Sequence, residues 1–314
     1  MLVDGSSCTF GIVLMSAVIL DMILGDPQNF PHPVKLIGKM ITFWHKRLFT
    51  SSLKFTRGLI LCVITLLITG FAVWLVLYVS GCNVLVRVYL LYSALAWRDL
   101  KDETAPVLTS LMRHDVKSAR EYLSRVVGRD TEKLNESEIA RAVIETIAEN
   151  SIDGVMSVLF FAALGQVLNP DYGACVMVWL FKAASTLDSM AGYESLGAYG
   201  WMSARLDDVL NFIPARLGGL VIVCAGRKGL RVFLRDRKKH KSPNSAHGES
   251  AFAGVLGLRL GGGAYYDGEF EPREWLYPEG RDTQPDDIIS AWRILDASCA
   301  MFVLLVILFT CIVL

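Results

Sequence analysis

Glu138, Arg141, Glu145 and Glu149 follow one another at spacings of three, four and four, which places all four on one face of a helix. Asn150 and Asp153 carry that face to the start of an apolar run, VMSVLFFAALGQVL. Carboxylates at the edge of a hydrophobic segment lose hydration when buried, so they need partners or a task. Two readings stand side by side. One is a solvated helix face with an i,i+4 Arg141–Glu145 pair, and the other is a site for a cation or for Mg²⁺-bound phosphate.

A second group follows the next apolar run. FKAASTLDSMAGY supplies Lys182, Thr186 and Asp188, and ARLDDVLNFIPARL supplies Arg205, Asp207, Asp208, Asn211 and Arg216. Asp207 and Asn211 share a helical face, and Pro214 ends or kinks that helix. Adjacent acids beside an apolar segment suit Mg²⁺, which takes carboxylate oxygens together with substrate phosphates. A lysine at a membrane edge, by contrast, often only snorkels to the interface.

The third group is KSPNSAHGESAFAGVLGLRLGGG, with Ser242, Asn244, His247 and Glu249 followed by glycines at 254, 257, 261, 262 and 263. Glycines let backbone approach a ligand closely, but a flexible loop explains them equally well. Neither GxxxxGK[ST] nor a strand-to-helix GxGxxG is present. Seven cysteines occur with no CxxC pair, which points to neither a thiolate metal site nor a disulfide framework. His32, between two prolines, reads as a packing residue in a rigid turn.

Membrane helices have to position these groups. The 314 residues are 53% hydrophobic and 20% charged, with a mean hydropathy of +0.42. A soluble domain is nearer ~25% charged. Apolar runs are expected to span at 10–24, read as a retained first helix containing Asp21, at 58–79, and from Ala297 to the end. VLVRVYLLYSALAW is short and carries Arg87; the runs 154–169 and 174–184, separated by NPDYG, are two short spans or one re-entrant hairpin. The expected architecture is all-α: one polytopic membrane domain over 1–314, with about four to six spans. Hydrophilic segments 98–153 and 188–296 carry the site; the first is helical, with Asn135 or Ser137 as an N-cap, and the later half of the second is Gly/Pro-rich loop.

Basic residues cluster at 35–57, 98–141 and 226–241, which orients those stretches, and the site with them, to the cytoplasmic side of the cell membrane. Net charge is zero, and the run at 226–241 lacks an aromatic stacking platform. It reads as juxtamembrane headgroup contact rather than nucleic-acid binding.

Taken in order, LGDPQNFPHPVKLIGKMI, VGRDTEKLNESEIARAVIETIAENSIDGV, KAASTLDSMAGY, YGWMSARLDDVLNFIPARL and SPNSAHGESAFAGVLGLRLGG resemble the adenosylcobinamide-phosphate synthase family of cobalamin biosynthesis. The resemblance implies a membrane-embedded, ATP-dependent carbon–nitrogen ligase. Such an enzyme joins the free propionate carboxylate of adenosylcobyric acid to aminopropanol or its phosphate, giving adenosylcobinamide or its phosphate. ATP is then a co-substrate and Mg²⁺ the metal, since phosphoryl transfer needs positive charge at the developing oxyanions. The resemblance implies Glu145, Glu149, Asp153, Asp188, Asp207 and Asp208 as catalytic acids, with Glu149, Asp153, Asp188 and Asp207 as metal ligands. It further implies Arg129, Asp130, Asn150, Lys182, Thr186, Arg205, Asn211, Arg216, Asn244 and Glu249 as substrate-binding residues. Expected partners are the corrinoid, the amine and the lipid bilayer, with a homo-oligomer or a complex with other late-pathway membrane enzymes. The chain departs from the family pattern at Ser157, Val158, Phe161, Ser185 and Gly248. A transporter or a sensor-like relative is the alternative; against the first, the sequence shows no two matching halves.

Overall fold

The computed structural model describes residues 5–26, 32–49, 53–192 and 194–314. Residues 27–31 of the turn at His32, and Tyr193 of the third family motif, lie outside them. In chain order the helices are α1 (Gly5–Leu24), α2 (Pro33–Leu48), α3 (Lys54–Val79), α4 (Val84–Tyr92), α5 (Trp97–Met112), α6 (Val116–Leu123) and α7 (Glu136–Asn150). After a π turn at Ser151–Met156 come α8 (Ser157–Leu168), α9 (Gly173–Ala191), α10 (Trp201–Leu210) and α11 (Phe212–Gly226). The last are α12 (Leu230–Asp236), α13 (Ser245–Leu256) and α14 (Asp287–Val313). Four short strands, β1 (Leu260–Gly261), β2 (Ala264–Tyr266), β3 (Glu269–Glu271) and β4 (Trp275–Leu276), form two antiparallel ribbons, β1 with β4 and β2 with β3. The protein is an all-α membrane protein.

Four helical stretches among the described residues are long and apolar enough to cross a bilayer: Lys54–Val79, Glu136–Leu168, Gly173–Ala191 and Asp287–Val313. They become five if the bent pair α10 and α11 counts as one. The run that opens with the acids and the apolar run after it are thus one continuous helical stretch, not a helix followed by a separate short span. α4 covers only roughly 14 Å at ~1.5 Å per residue, half the bilayer core.

The chain packs into two compact units. The first takes Met1–Ala96, Ser157–Asn211 and Leu304–Leu314. Its helices α8 and α9 cross at Gly165 and Gly173, where a Cβ on either glycine would strike the other's backbone. Asn169 Oδ1 closes the turn between them by accepting from the N–H groups of Asp171 and Tyr172. Arg87, the charge in the short apolar run, is buried here and donates to Gln166 Oε1 (3.2 Å) and the Pro170 carbonyl (3.3 Å). His32 caps α2, its Nδ1 accepting from Val34 N at 3.3 Å, with Pro33 at the first helical position.

The second unit takes Trp97–Met156 and Phe212–Val303. Asn135 starts α7 through a reciprocal capping box with Glu138. That assigns Glu138 to the cap and removes it from the chemical face. The stretch read as Gly/Pro-rich loop contains the full helix α13 and both ribbons. α14 begins at Asp287, ten residues before the expected span, because the Asp287 carboxylate accepts from Gln284 N and pairs with Arg281. Glycines 261, 262 and 263 all have positive φ (84°, 82° and 90°), and a Cβ on Gly262 would collide with the Trp275 ring. The three glycines are therefore required by the turn itself.

Candidate functional site

α7 presents Glu145 to the interior of the second unit, where it is 4% exposed. Arg129, from the connection between α6 and α7, places Nη1 2.7 Å from Glu145 Oε2. On the other oxygen, Gly261 N donates to Oε1 at 2.7 Å, and Arg141 Nε lies 3.9 Å away. Burial works against the Arg129 charge, but pairing with Glu145 outweighs it and lifts the guanidinium above its ordinary pKa. The i,i+4 pair anticipated on α7 is thus the weaker contact. The dominant one comes from outside the helix.

Glu249 reaches the same region from α13. That helix crosses α7 at Gly248, where a Cβ would stand 2.5 Å from the Ala148 carbonyl and 3.1 Å from Ile152 Cδ1. Glycine at this departure from the family pattern is what lets the two helices approach so closely. Glu249 is 2% exposed; burial first, then the charges of Glu145 and Glu149, push its pKa well above the usual carboxylate range, with Arg273 and Arg129 opposing. His240 Nδ1 lies 3.6 Å from Glu249 Oε1 and 3.4 Å from Ser245 Oγ. Its pKa is lowered, by burial and then by Arg273. A buried carboxyl whose proton affinity is raised, beside an imidazole whose own is lowered, is suited to taking up and passing on a proton. Sequence reasoning missed His240, which sits inside a basic run legible only as a topology signal.

Two further cations stand over one ring: Arg141 Cζ is 5.0 Å and Arg259 Cζ 4.4 Å from the Trp275 centroid. Asp130 is exposed and holds the β2–β3 ribbon, its N–H donating to the Tyr265 carbonyl and its Oδ2 accepting from Gly268 N. Glu149 is exposed at the end of α7, Asn150 Nδ2 donates back to the Thr146 carbonyl, and Asp153 is half-buried on the π turn. π turns inside α-helices are frequent at functional sites. Arg216 Nη1 donates to Asn244 Oδ1 at 3.3 Å.

The remaining sequence-predicted residues lie in the first unit. Asp188, half-buried on α9, is within electrostatic reach of Asp208 and Arg205 on α10. Arg205 Nη1 pairs with Asp208 Oδ2 at 2.9 Å. Asn211 Nδ2 donates to Asp207 Oδ2 at 3.1 Å and its Oδ1 accepts from Ser157 Oγ at 2.7 Å, so the departure at Ser157 satisfies a buried amide. Phe161, another departure, stacks on Phe181 with centroids 4.9 Å apart. A Cβ on Gly192 would strike the Asp188 carboxylate, so glycine keeps that carboxylate's space open. Thr186 Oγ1 donates to the Lys182 carbonyl within α9, and Lys182 is half-buried on the same helix.

Of the four carboxylates expected to hold metal, Glu149 and Asp153 belong to the second unit and Asp188 and Asp207 to the first. Among the described residues no three His, Cys, Asp or Glu side chains gather to hold an ion. That donor set does not fit an all-protein cage. It does fit Mg²⁺ held by one or two carboxylates with phosphate oxygens and water, the ion's usual arrangement at nucleotide sites.

A family model described as CobD/Cbib protein matches residues 14–295. A cobalamin biosynthesis protein CobD from Listeria monocytogenes serotype 4b is 41% identical over 271 residues, covering 81% of this chain and 84% of the relative. One from Pelobacter propionicus is 42% identical over 280 residues, 84% of each chain. The cobalamin biosynthesis protein CbiB of Salmonella typhimurium is 38% identical over 315 aligned residues, covering 94% and 96%. No solved structure matches.

Proposed function

The chain belongs to the CobD/CbiB family of cobalamin biosynthesis proteins, and from that premise we propose that it is the ATP-dependent ligase joining adenosylcobyric acid to aminopropanol or aminopropanol phosphate. Its product is adenosylcobinamide or adenosylcobinamide phosphate. A carboxylate does not condense with an amine in water unaided. Transfer of the γ-phosphoryl group of ATP to the corrinoid carboxylate gives an acyl phosphate and ADP. The amine nitrogen then forms the C–N bond, the C–O bond to phosphate breaks, and the amine gives up a proton.

The observation that carries this reading is the Glu249–His240 contact beside the Arg129–Glu145 pair. Glu249, a stronger base than an ordinary glutamate, takes the proton the amine loses, and His240 relays it. Burial first, and then the charge of Glu145, which Arg129 and Gly261 N hold in place, keep the Glu249 pKa high. Mg²⁺, when bound, would neutralise phosphate oxygens, with Glu149 and Asp153, or Asp188 and Asp208, as its carboxylate anchors. In this reading the chemistry lies on the cytoplasmic side of the cell membrane, which the basic loops support, and the apolar helices offer walls to the corrinoid.

The test uses detergent-purified full-length protein with adenosylcobyric acid, ATP, Mg²⁺ and either amine. Mass spectrometry should find one amide formed per ADP released. Absence of ATP-dependent amide from folded protein, with both amines tried, would sink the ligase reading and leave the transporter or sensor alternative.

A further inference from the structure

Beside the Glu145 and Glu249 network, the second unit gathers a set of cations that make no ion pair among the described residues. Arg216 on α11, Arg237 and Lys238 just after α12, and His247 on α13 come together because α11 carries glycine at 219. A Cβ there would strike the Phe233 ring of α12 and lie 3.2 Å from the His247 carbonyl of α13. Arg237 Cζ is 5.7 Å from the Phe233 centroid, and the His247 ring meets the same Phe233 edge-on at 6.0 Å. Arg216 donates to Asn244 Oδ1, two residues beyond Ser242 and three before His247.

Neither Arg216 nor Arg237 has a carboxylate within ion-pair distance among the described residues. Arg237 Nε and both ring nitrogens of His247 are buried polar atoms making no hydrogen bond of ordinary geometry. Buried polar groups are paired in the great majority of proteins, and each unpaired one calls for an explanation. Three in one cluster, one of them on the Arg237 guanidinium and all near Arg216, suit an acceptor carrying negative charge. Guanidinium forks match the oxygens of phosphate in particular. Consistently, burial and then the charges of Arg216 and Arg237 press the His247 pKa down to about 4 against the nearby Asn244 backbone, so the imidazole is neutral at pH 7 and still offers one N–H.

We propose that Arg216, Arg237, Asn244 and His247 form a binding site for a phosphate group, carried either by a soluble phosphate ester or polyphosphate or by a phospholipid headgroup. The inference stands on the pocket's own geometry. Under the ligase reading, it names the place where a phosphorylated substrate docks.

The probe is inorganic pyrophosphate, titrated calorimetrically into full-length protein purified in phosphate-free detergent. Saturable binding that weakens with salt is expected. Arg216→Gln and Arg237→Gln should each weaken it by roughly tenfold or more, the loss of one charge-assisted hydrogen bond. Arg237→Lys should retain most of it, and Arg113→Gln, on an exposed residue just past α5, should leave it unchanged. Matching size-exclusion profiles and melting temperatures establish that the variants are folded. Wild-type protein that does not bind pyrophosphate, or Arg113→Gln weakening it as much as Arg237→Gln, would overturn the proposal. Repeating the titration in phosphatidylcholine nanodiscs with and without phosphatidate separates the sources. Loss of binding only with phosphatidate identifies a headgroup site; competition by ATP or aminopropanol phosphate in both identifies a soluble one. Pyrophosphate binding without amide formation counts against the ligase reading alone, and amide formation without pyrophosphate binding counts against the pocket alone.

Discussion

The two acid-bearing regions are built in opposite ways. In the second unit, Glu145 and Glu249 are buried, and their partners come from outside their own helices: Arg129, His240 and, from 116 residues along the chain, the Gly261 N–H. In the first unit, Asp207 and Asp208 make local contacts, i,i+4 to Asn211 and i,i+3 to Arg205, on a partly buried helix whose Arg205 is half exposed. A buried charge network is preorganised and unforgiving, because removing one member strands another in a low-dielectric interior. A half-exposed pair is screened by water and contributes little to stability. The same residue types therefore carry different risks in the two places.

The sharpest way to break this contrast is Arg129→Met. It leaves Glu145 buried without its counter-ion and should cost about 3–5 kcal/mol of stability together with most activity. Denaturation in detergent monitored by tryptophan fluorescence reads the first, and amide formation the second. A loss under ~1 kcal/mol would show that water reaches Glu145 and that the network is not buried in function.

Glu249→Gln comes next. Loss of a general base should lower turnover by about 10²–10⁴-fold while stability holds or rises. Glu249 binds its proton more tightly folded than unfolded. Its contribution is therefore fully present below the ordinary glutamate range and is lost as pH rises toward the raised native value. The variant should flatten that decline in stability, and an unchanged pH profile would assign the slope to another group.

The metal question pits the regions against each other directly. If Glu149 and Asp153 anchor Mg²⁺, Glu149→Gln and Asp153→Asn should raise the Mg²⁺ concentration for half-maximal turnover by roughly tenfold or more, and excess Mg²⁺ should partly rescue them. Asp188→Asn and Asp208→Asn would then leave the Mg²⁺ requirement unchanged. The reverse pattern would move the ion to the first unit.

The smallest effect belongs to Arg205→Ala. Its side chain is about half exposed and its pairing with Asp208 is local, so stability should change by less than about 1 kcal/mol. A change comparable to that of Arg129→Met would erase the distinction between the regions.

Local pattern carried much of the molecule. The Asn135 cap, the shared face of Arg141, Glu145 and Glu149, and the spanning runs at 58–79 and from Ala297 were readable, because helical period and apolar length repeat over a few residues of chain, whereas the run at 10–24, expected to span, forms the shorter apolar helix Thr9–Leu24. The same logic separated α8 from α9 at NPDYG, and it failed at the joint of α7 and α8 only because a π turn carries the helix on where a boundary was expected. Gly262 shows the limit from the other side. Its place in a glycine cluster reads as close ligand approach or as a flexible loop, yet with φ at +82° and the Trp275 ring in the way of a Cβ, the turn itself requires glycine.

What tertiary structure alone decided is which charges meet. Gly261 N and Glu145 are 116 residues apart, and nothing in the spacing of either records the other. The crossing of α7 and α13 at Gly248 gives Glu249 its burial, and the approach of His240 gives it a proton partner. The acids expected as one metal set fall into two units because chain order does not rank contacts. Periodicity is a property of neighbours along the chain and so is written in sequence. Burial and pairing are properties of neighbours in space, and they exist only once the helices have packed.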